Sequence, residues 1–72
     1  MALIPNPAAN FLKIYLPAPT TAPLDVQVFD AQGRLVLLGT EQSLDVQVLA
    51  PGMYSLRAVV GERVFVGRFT KL

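Results

Sequence analysis

Few side chains in this sequence have the type and spacing that chemistry needs. The acids Asp25, Asp30, Asp45 and Glu62 fall in turns or in outward register on alternating strands. A carboxylate pair acting as acid and base needs one member in an apolar pocket, and no acid here occupies an apolar-in position. Ser43 and Ser55 lack an activating base, because the chain has no histidine. With cysteine also absent, Cys-His nucleophiles, disulfides and most zinc sites are removed. Asp25, Asp30 and Asp45 lack the dense oxygen spacing of a calcium loop. The glycines at 33, 39, 52, 61 and 67 match neither G-x-G-x-x-G nor a phosphate loop and serve turns. The expectation is a protein that is not an enzyme and holds neither cofactor nor metal.

The elements that carry these residues must be short. Six prolines and five glycines punctuate 72 residues, room for one small domain. Hydrophobic residues make up 53% and charged residues 15%, too apolar for disorder. A net charge of +1 with no basic block gives no nucleic-acid footprint. Apolar runs such as Leu35–Leu38 fall far short of the roughly 20 residues of a membrane-spanning helix, and the opening residues, with no basic stretch leading into an apolar run, are not expected to act as a signal peptide. Ordering such a chain demands heavy apolar burial, which leaves little volume for a deep pocket.

Period-two alternation runs throughout and nothing reads as a helix. Strands are expected over Phe11–Leu16, with Leu12, Ile14 and Leu16 on one face, and over Leu24–Phe29, with Val26 and Val28 inward. Between them Pro17–Pro23 reads as an extended loop, partly polyproline II. Asp30 to Gly33 is turn chemistry returning through Arg34–Leu38. Leu44–Val48 repeats the LDVQV of Leu24–Val28 and is expected to form a similar strand. Met53–Val60 and Val64–Phe69, joined at Gly61-Glu62, form a second hairpin, with a bulge near Gly67 bringing Val66 and Phe69 to one side. The fold expected is all-β: a small immunoglobulin-like antiparallel sandwich of about six to seven strands. Tyr15 and Phe29 face outward, where they cover sheet edges, pair across strands or contribute to a docking face.

The order of features has a further meaning. An opening I-P-N-P (Ile4 to Pro7) precedes the first alternating strand. V-Q-V-F-D runs into A-Q-G-R-L-V (Ala31–Val36), D-V-Q-V-L-A-P-G-M-Y-S-L-R covers Asp45–Arg57, and V-G-R-F-T-K-L closes at Leu72. This series resembles the C-terminal sorting domain of type IX (Por) secretion systems of Gram-negative bacteria, type A, over essentially the whole chain. It departs from the family in having fewer lysines near its end and an unusually proline-rich middle loop.

Each motif residue also has a plain structural use. Pro5 and Pro7 keep the opening segment extended and withhold donors; Asn6 can bond its own backbone and fix the turn. Gly33 supplies positive φ at the hairpin corner, with Arg34 just outside it. Pro51-Gly52 reverses the chain before Tyr54, whose ring folds under the sandwich while its hydroxyl finds a backbone acceptor. The resemblance implies that Pro5, Asn6, Pro7, Gly33, Arg34, Gly52, Tyr54, Arg68, Phe69, Lys71 and Leu72 form the signal motif. It also implies a single domain over residues 1–72, excised from the end of a larger exported protein with a covalently linked upstream cargo. Its partners would be the type IX outer-membrane translocon and a sortase-like cysteine peptidase. The route would run through the periplasm to the cell surface or the medium. The tail Val64–Leu72 is then expected at a sheet edge, offering basic side chains and a free carboxylate, with strand addition. Exposed edges also favour homodimers. A rival reading is an adhesive or carbohydrate-binding sandwich similar to a fibronectin type III module.

Overall fold

A computed structural model describes residues 1–17 and 21–72; the middle of the proline-rich loop, residues 18–20, lies outside the described residues. Seven strands follow one another with no helix among the described residues. They are β1 (Ala2–Ile4), β2 (Phe11–Tyr15), β3 (Leu24–Phe29), β4 (Leu35–Gly39), β5 (Ser43–Asp45), β6 (Gly52–Val60) and β7 (Arg63–Lys71). They form two antiparallel sheets, β1-β2-β5 and β4-β3-β6-β7.

The alternation read from the sequence is what sorts side chains between core and solvent. Leu12, Ile14 and Leu44 come from the smaller sheet; Val26, Val28, Leu56, Ala58 and Phe69 come from the larger. Their apolar faces meet, and Val46 and Leu49 add to the same core from the connection after β5. Outward positions such as Asp25, Lys13 and Arg57 alternate with them, as a two-layer sandwich requires.

Two expectations are corrected. The second LDVQV copy is a strand only at its start. β5 ends at Asp45, whose Oδ1 accepts the Gln47 amide at 2.9 Å, and the Leu49 amide donates to the Val46 carbonyl at 3.0 Å. The aspartate has turned its own backbone, so Val48 is 79% exposed while Leu49 packs inward. The bulge at Gly67 is also absent: β6 and β7 pair without a shift from Gly52↔Lys71 to Val60↔Arg63. Phe65, Gly67, Phe69 and Lys71 therefore share the inner face, and Val64 and Val66 face solvent. Gly67 is small because the other sheet presses on it: a Cβ there would lie 3.0 Å from Leu3 Cδ1 and 3.1 Å from Met1 Cε. The register shift of the larger sheet sits between β3 and β4, where Phe29 pairs Leu35 and Val36 is looped over. β1 was not foreseen; three residues are too few to show a period.

Candidate functional site

Most of the expected signal residues gather at the C-terminal end of β7, and parity along the strand decides which can be reached. Phe69 is 1% exposed and stacks on Tyr54, with centroids 5.6 Å apart and planes at 19°. Tyr54 donates its hydroxyl to the Ala50 carbonyl at 2.6 Å. The ring thus lies under the sandwich with its polar tip satisfied, the corner that β-sandwiches use to pin a strand. Lys71 shares Phe69's inward parity and is only 8% exposed; its Nζ donates to the Leu72 backbone oxygen at 2.8 Å. The expectation that both basic groups of the tail are displayed is corrected on this point. Arg68 and Leu72, of opposite parity, are exposed.

The edge of β7 is not bare either. Its last residues are bonded to the opening motif. Asn6 Oδ1 accepts the Thr70 amide at 2.9 Å, and Asn6 Nδ2 donates to the Arg68 carbonyl at 3.3 Å. Ala8 continues in parallel pairing: its amide donates to the Thr70 carbonyl at 2.8 Å, and its carbonyl accepts the Leu72 amide at 2.9 Å. Asn6 therefore bonds β7 rather than its own backbone as expected. Its amide side chain presents one donor and one acceptor, like a peptide unit, and Pro5 and Pro7 flank it without donors of their own. Val64 and Val66, upstream on the same edge, have no second strand beside them among the described residues.

At the same end of the larger sheet, across β6 and β3 from β7, Asp30 organises the β3–β4 corner. Its Oδ1 accepts the Gln32 and Arg34 amides, each at 2.9 Å, and its Oδ2 accepts Arg34 Nε at 2.7 Å. Gly33 turns the corner at φ 82°, its amide donating to the Asp30 carbonyl at 3.0 Å. These donors, first the Arg34 backbone amide, hold the Asp30 carboxyl below its usual 3.8. Arg34 is therefore tied into its own hairpin, although its side chain remains 76% exposed. Gly52 opens β6 at φ 153°, opposite Lys71.

The structure thus brings Asn6, Tyr54, Arg68, Phe69, Lys71 and Leu72 together and leaves Gly33 and Arg34 at a separate corner. Ala8 and Arg57 escaped the sequence reading. Ala8 carries no chemical label; Arg57 could have been found from its outward parity opposite Val66. Two open clefts are lined by described residues. One of about 450 Å³ is lined by Asp25, Gln27, Leu38, Gly39, Thr40 and Val59. Another, of about 280 Å³, is lined by Asp30, Ala31, Met53, Tyr54, Ser55 and Arg68. Among the described residues no three acids gather as a cation site, and no helix is long and apolar enough to cross a membrane. Tyr15 lies on the outer face of the smaller sheet beneath Lys13, whose Nζ is 5.6 Å from the ring centroid. Phe29, half-buried, is on the larger sheet.

No curated protein matches the chain. Residues 2–71, from the start of β1 to the end of β7, match the family model described as the secretion system C-terminal sorting domain. With the match spanning both sheets and the joined ends, the chain belongs to the family of type IX secretion system C-terminal sorting domains.

Proposed function

We propose that the domain works as a folded label: the type IX translocon in the outer membrane recognises its surface and moves the attached cargo outward. Family membership carries the coarse part of this reading, a C-terminal secretion signal with the cell surface or medium as destination. The finer steps are proposals. The domain ends a larger exported protein, folds in the periplasm, and is removed on its N-terminal side by a sortase-like cysteine peptidase. The cargo is then released or attached to surface lipopolysaccharide. The domain is not itself the catalyst.

The match over residues 2–71 is the observation that carries the proposal. The test is a reporter fused ahead of the domain in a type IX-competent host and in one whose translocon is disabled. Export in the first and retention in the second are expected; a reporter trapped in both rejects the reading. The adhesive alternative fares worse, because Tyr15 and Phe29 stand on different sheets and form no common stacking platform.

A further inference from the structure

Arg57 and Arg68 stand on adjacent strands of the outer face of the larger sheet. Arg57 is opposite Val66 and Arg68 is opposite Ser55, which makes the two arginines diagonal neighbours. Such positions lie about 7–8 Å apart, so both guanidinium groups address one patch. Among the described residues the one ion pair is Arg34–Asp30, and neither outer-face guanidinium has a hydrogen-bond partner. The acids of this face make no ion pair with them. Asp30 lines a cleft with Arg68 but is bonded to Arg34, and Asp25 is diagonal to Arg57 across β3 and β6 without an ion pair to it. Around the arginines lies apolar surface: Leu38 is 64% exposed, Met53 61% and Val66 70%. Arg68 also borders the smaller cleft beside Met53 and Ser55.

We infer that this outer face, centred on Arg57 and Arg68, is where the export machinery docks, and that its partner is an acidic protein surface. The inference rests on the sorting-signal reading above. Carboxylates would seat on the two planar guanidinium forks, while apolar side chains cover Leu38, Met53 and Val66. Two arginines without an ion-pair partner among the described residues, set beside apolar surface on paired strands, fit the pattern of an interface with arginine anchors. An anionic lipid surface fits less well, since headgroup recognition uses clusters of four to eight basic residues.

The experiment uses the intact reporter fusion in a type IX-competent host. The pair R57E/R68E is expected to lower export by about tenfold or more, and R57K/R68K to restore part of it. K13E, a charge reversal on the opposite sheet, should export like the parent. Limited proteolysis of the fusion shows whether each variant is folded, and R57Q/R68Q carries the same test should the glutamate pair not fold. If the parent fusion is not exported, the sorting reading falls and this inference with it. If the parent and folded R57E/R68E are exported equally, the docking face alone falls. Equal loss in K13E would reduce the effect to net charge and overturn the proposal. So would binding to phosphatidylglycerol vesicles by the parent and not by R57E/R68E, which would assign the face to lipid.

Discussion

A buried phenol hydroxyl must replace the water it gives up, and Tyr54 does so at the Ala50 carbonyl. Y54F leaves that carbonyl unanswered while keeping the ring on Phe69. It is expected to cost about 1 kcal/mol, roughly 4–8 °C in Tm for a domain of this size, measured by thermal unfolding. Asp30 gives a pH signature. Its carboxyl is held below 3.8 by the amides and guanidinium of its turn. As pH falls the unfolded chain takes up the proton first, so the contribution to stability is complete above about 3.8 and is lost as pH drops through the lower folded value. D30N should therefore be less stable than the parent at neutral pH, with the gap closing below that range. Urea titrations across pH check this, and a constant gap would refute it.

At the scale of strands, the edge of β7 is shared between Asn6 and Ala8 rather than left to solvent. N6A should remove the partners of the Thr70 amide and the Arg68 carbonyl while leaving the β6 side of the ladder intact. Amide exchange at Thr70 should quicken markedly, with the amides facing β6 still protected; uniform protection would show the clasp to be idle. This edge also marks the limit of what the sequence revealed. The periods of β2, β3 and β6 were legible because their alternation is unbroken, and Asp30-to-Gly33 was legible because turn chemistry is local. Asn6 bonds residues 62 and 64 positions away, and no local rule names such a partner. The two LDVQV segments make the same point. The first is paired on both sides, by β4 and β6. Among the described residues the second has only β2 beside it, and there the aspartate's preference for bonding its own backbone wins. Gly67 was misread because glycine in a strand marks either a bulge or a close approach, and only the position of Leu3 and Met1 distinguishes them.

For the whole molecule, the buried state of Phe69 changes what a truncation can report. Losing a buried aromatic costs about 3–5 kcal/mol, a large share of the roughly 4–11 kcal/mol that a chain of this length commands. Removing Phe69–Leu72 should therefore abolish export by unfolding the domain, seen as rapid proteolysis of the fusion. Removing Leu72 alone should leave it folded. A truncated chain that resists protease yet is not exported would instead locate recognition in those last residues.

The clasp between Asn6, Ala8 and the end of β7 has a consequence for timing. Closing a sandwich through contacts that span nearly the whole chain is slow, and it cannot finish until the final strand has been synthesised and freed. A domain translated short of β7 would leave Asn6 and Ala8 without these partners and the two sheets unclosed at that end.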